Sequence, residues 1–494
     1  MTMLHRISAL PPLDDGELLK SQAFIDGAWV DGSLGSFPVL NPADGSRVAE
    51  VANCGARETQ LAIAAAERAY PAWRAKTAKE RSVLLRRWFD LCIAATEDLA
   101  KILTVEQGKP LAEARGEIVY GMSFVEWFAE EAKRLYGETI PSPWADRRLL
   151  VLREPVGVCA AITPWNFPNA MITRKIGPAL AAGCTVVVKP AEQTPLSALA
   201  LAVLAVRAGI PPGVLNIVTA DADNSITVGK ALCESPVVRK LSFTGSTAVG
   251  RILMQQCAPT LKKLSLELGG NAPFIVFADA DLDAAVEGAL ASKYRNAGQT
   301  CVCTNRFFVH EKVYGPFVAK LAARASLLKV GPGLEDGVQQ GPLIDAAALQ
   351  KVEAHVADAL EKGARIEAGG HRHALGGTFF QPTVLSGVRD TMLVAREETF
   401  GPVAPVFSFA TDDEAIAAAN SVEFGLAAYF YARDVGRVMR LAERLEYGMV
   451  GVNVGIMSTE VAPFGGIKQS GFGREGSHHG IDEYLTTKYV CLGV

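Results

Sequence analysis

The sequence predicts an α/β protein with doubly wound sheets. Two observations point there. Short, nearly continuous apolar runs alternate with stretches of helical periodicity, the pattern of parallel strands covered on both faces by helices. The chain of 494 residues is also too long for one hydrophobic core, so about two or three domains are expected.

The strand-like runs come first. VGVCAAI (156–162) leads into PWNFP, and CTVVV (184–188) leads into KPAEQTP. GVLNIVT (213–219), RKLSF (239–243) and APFIVF (272–277) follow. Between them, Thr194 caps a helix that opens on Pro195, carries a stripe of Leu196, Leu199, Val203 and Leu204, and ends at Gly209. Ser246 caps a second helix, striped by Val249, Ile252, Leu253 and Cys257. A further α/β stretch begins at about Gly269, where Asp281 caps a helix with Leu282, Val286, Ala289 and Leu290 buried and Gly298 at its end. FFVH, FFQPTV, PVAPVFSF and YGMVGVNV are its later strands. ADRRLLVLREP (145–155) and IDEYLTTKYVCLGV (481–494) read as extended segments outside both halves. A terminal strand left alone exposes an unpaired edge, so a subunit interface is expected to cover them.

Composition narrows the function. The chain is 49% hydrophobic and 21% charged, an ordinary globular balance, and its net charge of −4 argues against general nucleic-acid binding. The most apolar helical run, LSALALAVLAV (196–206), is shorter than the ~20 residues of a membrane span. MTMLHRISALPPLDD lacks the apolar core of a signal peptide, so a soluble cytoplasmic protein is expected. The nine cysteines have no framework spacing and are expected to be reduced.

Chemistry concentrates in a few places. NAGQTCVCTNR holds Cys301 and Cys303 in a loop beyond a helix, where a catalytic residue is at home. A buried structural thiol is the bland alternative. Zinc is disfavoured because the seven histidines form no companion cluster at ligand spacing. A Cys301–Cys303 disulfide would be strained, hence regulatory rather than structural. In LELGGNAPF, Glu267 is a carboxylate among leucines: either a strand-end residue facing water or a general base with raised pKa. Asn166 of PWNFP has an amide that could hold an oxyanion, or makes a turn. FTGSTAVG (243–250) is a strand, glycine turn and helix start that presents backbone N–H groups to a phosphate. In KPAEQTP, Lys189 and Glu192 stand at a strand end, where an acid can accept from a ribose 2′-hydroxyl. Arg174 and Arg295 would suit a carboxylate if both reach one pocket; a structural ion pair is the equal alternative for either.

Taken in order, PWNFP, KPAEQTP, FTGSTAVG, LELGG, GQTC, EETFGP and PFGGIKQSGFGREG resemble the NAD(P)-dependent aldehyde dehydrogenase superfamily over essentially the whole chain. ITRKIGPAL, RNAGQTCVC and GIDEYLTTKYVC are most similar to its succinate-semialdehyde dehydrogenase branch. The resemblance implies a Rossmann-type cofactor domain (1–138 and 157–268), an α/β catalytic domain (269–476) and a small β oligomerisation arm (139–156 and 477–494). It implies Cys301 as nucleophile, Glu267 as base, and Asn166 with the Cys301 N–H as oxyanion hole. Cofactor contacts would come from Thr163, Pro164 and Trp165; from Lys189, Pro190, Ala191 and Glu192; from Gly245, Ser246, Thr247, Ala248, Val249 and Gly250; and from Glu398 and Phe400. Lys175 and Glu475 match polar positions near the site. Arg174, Arg295 and Ser470 would hold the carboxylate of a small aldehyde, succinic semialdehyde first and glutaric semialdehyde second. NAD is expected over NADP because of Glu192, with Lys189 leaving room for NADP. The assembly would be a homodimer or a homotetramer. Cys303 is either a bystander thiol or a reversible disulfide guard of Cys301. Competing readings are a coenzyme A-acylating dehydrogenase, a non-redox cysteine hydrolase or acyltransferase, and a retired scaffold.

Overall fold

The computed structural model describes residues 10–494. Residues 1–9, the start of the segment read as lacking a signal peptide, lie outside the described residues.

Two large sheets organise the chain. The first has eight strands, in the order Ala28–Val30, Ala23–Ile25, Leu215–Ile217, Thr185–Lys189, Val158–Ile162, Val238–Thr244, Lys263–Glu267, Gly471–Phe472. Its central five are parallel. The strand order reverses between Val158–Ile162 and Val238–Thr244, and ligands bind outside the carboxyl ends of strands at such a reversal. PWN and GSTAVG leave those two ends. The second sheet has seven strands, centred on Thr304–His310 and Ala272–Val276. Only the Leu268–Asn271 link separates Glu267 from the first strand of the second sheet, so the space between the sheets is lined by both.

Helices cover the first sheet as the apolar runs require. Ala170–Ala182 is buried along its whole length, and Pro195–Ala208 nearly so. They pack in one core with Thr96–Gln107 and Leu111–Glu131. Pro195 opens its helix and Gly209 closes it in the left-handed conformation, as read from sequence. The cap differs. Thr194 Oγ1 makes no capping bond; the Glu106 carboxylate from another helix accepts from Leu196 N at 2.7 Å and Ser197 N at 2.9 Å. Two N–H groups inside a core need a stronger acceptor than one hydroxyl. Burial pushes the Glu106 carboxyl up to about 8.

Two other expectations change, and the two extended segments find a partner. On the Thr247–Cys257 helix, capped by Ser246, Leu253 and Cys257 are buried but Val249 and Ile252 are exposed. The helix capped by Asp281 ends at Tyr294, before Gly298. The two extended segments pair with each other: Leu485–Gly493 runs antiparallel to Arg147–Pro155 through nine residue pairs, with Glu138–Ile140 on the other side.

Replacing Glu106 by Ala should lower stability by about 2–3 kcal/mol through the orphaned N–H groups. Thr194→Ala should stay within about 0.5 kcal/mol. Urea midpoints of the two variants check the contrast.

Candidate active site

The loop that carries Cys301 is shaped before the cysteine is reached. Asn296, Ala297 and Gly298 follow one another with φ of 50°, 55° and 76°. Left-handed backbone is unfavourable for alanine and needs outside support. Glu113 Oε2 accepts from Asn296 N at 2.9 Å, and Asn296 Nδ2 donates to the Asn166 carbonyl at 3.0 Å. A Cβ at Gly298 would lie 2.2 Å from the Gly401 carbonyl oxygen, so only glycine fits. Cys301 is thereby set at the mouth of a cavity of about 410 Å³, with its N–H free of any acceptor among the described residues. Burial pushes its thiol up to about 12; Arg174 opposes the shift, while Glu267 and Glu398 add to it.

Asn166 lines the same cavity. Its Nδ2 donates to the Gln299 carbonyl at 3.0 Å, leaving a second N–H for a ligand. Its own carbonyl accepts from Lys109 Nζ at 2.7 Å. Glu267 lines the cavity too, and neither carboxylate oxygen has a protein partner. Burial holds its carboxyl well above the usual range; Glu475 adds to this, and Arg174, Lys175 and Arg474 oppose it. Behind Glu267, Lys175 Nζ lies 2.5 Å from Glu475 Oε1 and donates to Ser242 Oγ at 3.1 Å.

Of the expected cofactor residues, Pro164, Trp165, Gly245, Ser246, Glu398 and Phe400 line this cavity, Trp165 and Phe400 meeting edge to face at 5.6 Å. Thr163, Lys189, Pro190, Ala191, Glu192, Thr247, Ala248, Val249 and Gly250 do not line it, although Thr163 N donates to the Lys189 carbonyl beside it. Lys189 Nζ pairs with Glu192 Oε2 at 3.3 Å. Asp345 and Lys351, from the Ala346–Glu361 helix and its cap, also line the cavity; in the sequence they look like an ordinary helix cap and a surface charge. The residues fit a dinucleotide. Glu398 accepts only Gly270 N, at 3.3 Å, so it keeps acceptor capacity for hydroxyl groups. A Cβ at Gly250 would lie 2.5 Å from Leu268, so the Thr247–Cys257 helix starts close against the LELGG segment.

A second cavity, about 630 Å³, holds Arg295 with Tyr120, Phe167, Ile456 and Ser458. The Arg295 guanidinium has no hydrogen-bond acceptor or ion-pair partner among the described residues and lies 4.8 Å from the Phe167 ring centroid. Arg174 is placed differently. It is buried, its Nη2 lies 2.6 Å from Glu475 Oε2, and it sits 3.8 Å from the Phe464 ring, with Nε unpartnered. Ser470 is a correction. Its hydroxyl donates to the Gly269 carbonyl at 2.7 Å and accepts from Gly425 N at 3.0 Å, away from Arg295. Ser458 is the serine that lines the Arg295 cavity; its own stretch, MSTE, carries no glycine-rich signature to mark it. Cys303 is turned inward, donating to the Gly298 carbonyl at 3.0 Å and standing 3.8 Å from Lys293 Nζ. A larger cavity, about 750 Å³, shares none of these residues and is floored by Arg306, whose guanidinium is bonded to backbone carbonyls.

The sequence model of the aldehyde dehydrogenase family matches residues 29–490. The chain belongs to the aldehyde dehydrogenase family. Among its relatives, 3-sulfolactaldehyde dehydrogenase of Pseudomonas putida is 63% identical over 97% of this chain and 99% of its own. Glutarate-semialdehyde dehydrogenase of Pseudomonas aeruginosa is also 63% identical, with the same coverage. Succinate-semialdehyde dehydrogenase [NADP(+)] GabD of Escherichia coli is 62% identical over 98% of this chain and 100% of its own. As an aldehyde dehydrogenase, the chain is an oxidoreductase of α/β fold that oxidises an aldehyde with NAD(P). No described helix is long and apolar enough to cross a membrane.

A thiol pushed up to about 12 is almost wholly protonated near neutrality. Inactivation of this aldehyde dehydrogenase by iodoacetamide should therefore accelerate about tenfold per pH unit between pH 7 and 9, without a plateau. Activity remaining after timed alkylation measures it.

Proposed function

We propose that this aldehyde dehydrogenase oxidises a short aldehyde bearing a carboxylate at its far end, succinic semialdehyde foremost. The observation that carries the reading is Arg295: a guanidinium on a cavity wall with no acceptor among the described residues. A planar five-donor cation suits a carboxylate bidentately. Ser458 and the unpartnered Tyr120 hydroxyl share that cavity. Arg174 lines neither cavity and its guanidinium is paired with Glu475, so it adds little to this reading beyond its field at Cys301. Glutaric semialdehyde is the second reading. One extra methylene is worth only ~1–3 kcal/mol of discrimination in a pocket. The names of the three relatives point to one chemistry, a short aldehyde with an acid group, carboxylate or sulfonate.

In the reaction, the Cys301 thiol gives up its proton to solvent and the Sγ thiolate attacks the aldehyde carbon. The alkoxide formed faces two N–H donors, the Asn166 amide and the Cys301 backbone, which favour the charge that expels hydride. Bound NAD(P) supplies the hydride acceptor. A thioester is then left on Cys301. Glu267, whose burial strengthens its hold on a proton, takes one from water as the water attacks the thioester and releases the acid.

NAD is the preferred cofactor in this reading, because Glu192 is an acceptor for a ribose 2′-hydroxyl and repels a 2′-phosphate. Lys189 beside it keeps NADP usable, in line with the cofactor named for the Escherichia coli relative. The eight-stranded sheet and its helices serve as cofactor domain and the seven-stranded sheet as catalytic domain. The three-stranded arm joins subunits into a homodimer or homotetramer; Tyr136, Trp144, Tyr489 and Leu492 are exposed on or beside it. Nine unpaired cysteines suit the cytoplasm.

The test is one panel: kcat/KM for succinic, glutaric and malonic semialdehydes and for butanal, with each cofactor. Succinic semialdehyde should lead butanal, and Arg295→Ala should reduce kcat/KM for the charged aldehyde on the order of 100-fold. Equal values for butanal and succinic semialdehyde in the unaltered enzyme would overturn the reading. Glu192→Ser should move the NAD/NADP ratio toward NADP; an unchanged ratio counts against the role of Glu192.

A further inference from the structure

The cavity that holds Arg295 has an acidic wall as well. Glu113 and Glu117 stand four residues apart on the Leu111–Glu131 helix, hence on one face, with Lys109 just before its first turn. Two of the three charges cancel. Lys109 Nζ lies 2.5 Å from Glu117 Oε2, both side chains fully buried. At the outer rim, Glu287 and Arg324 pair as well. Glu113 is left over. Its Oε2 accepts from Asn296 N, but Oε1 makes no hydrogen bond among the described residues, and the side chain lines the cavity with Arg295. No ion pair closes between Glu113 and Arg295 among the described residues. Burial pushes the Glu113 carboxyl up, while Lys109, the Asn296 N–H and Arg295 oppose the shift, so the cavity sets one open guanidinium against one carboxylate short of a partner, fixed on separate elements.

We infer that Glu113 is a specificity-determining residue that sets how strongly Arg295 holds the substrate's acid group. The inference rests on the carboxylate reading of Arg295. An anionic group entering the cavity gains attraction from Arg295 and meets repulsion from Glu113. The repulsion is stronger for the product, which carries a second carboxylate. Glu113 thus weakens substrate binding and favours product release. The Asn296 N–H requires an acceptor at this position, and glutamine provides one without the charge.

The test compares Glu113→Gln with the unaltered enzyme. The readouts are KM for succinic semialdehyde divided by KM for butanal, and the inhibition constant of succinate. Both should fall about five- to tenfold. A purely structural role, acting through the Asn296 turn, would move the two KM values together and leave their ratio unchanged; that result, or an unchanged inhibition constant, overturns the inference. If the glutamine variant does not fold, Glu113→Ser removes the same charge through a smaller side chain and should shift both readouts the same way. Failure of the Arg295 reading looks different: the unaltered enzyme would show no preference for the charged aldehyde.

Discussion

The Lys109–Glu117 pair is the contact on which the site depends. Lys109 Nζ reaches three things at once: Glu117 at 2.5 Å, the Asn166 carbonyl at 2.7 Å and the Phe167 ring at 3.8 Å. Glu117 uses its other oxygen to accept from Asn169 N and Ala170 N, the start of the Ala170–Ala182 helix. One buried ion pair thus fixes Asn166, the Phe167 ring beside Arg295 and the helix bearing Arg174 and Lys175. A buried pair contributes little net stability over an apolar substitute, yet losing one partner strands a charge at ~3–5 kcal/mol. Its value here is geometric: it holds Asn166 where the second N–H faces the Cys301 cavity.

The same economy appears on the nucleophile side. Asn296 bonds to the Asn166 carbonyl, so Asn166 and the loop of Cys301 share one anchor. Three successive left-handed residues turn the chain sharply between Arg295 and Cys301. The arginine faces one cavity and the cysteine the other, although they are six positions apart.

Much of this was legible in the sequence, and the exceptions have physical causes. The parallel strands, the caps at Ser246 and Asp281 and the placing of Cys301, Glu267 and Asn166 follow from periodicity, capping chemistry and motif order. What escaped were contacts made across the fold. Glu106 caps a helix ninety residues away, so Thr194 looked like the cap. Ser470 sits in a conspicuous glycine-rich motif, but its hydroxyl closes a backbone gap, while plain Ser458 lies beside Arg295. Gly298 looked like a helix end because glycine usually is one; bonds from Glu113 and to Asn166 stop the helix earlier. Val249 and Ile252 fit an apolar stripe that the isolated chain leaves uncovered.

The Gly471–Phe472 strand runs beside Lys263–Glu267, with Gly471 opposite Glu267. It follows every strand of the seven-stranded sheet in the chain, yet it completes the edge of the eight-stranded one. Chain order then imposes a timetable on synthesis. The ribosome delivers the cysteine loop well before it delivers this strand, so the sheet edge beside Glu267 closes only after Gly471 and Phe472 have emerged. Until then the strand that carries Glu267 is an unpaired edge.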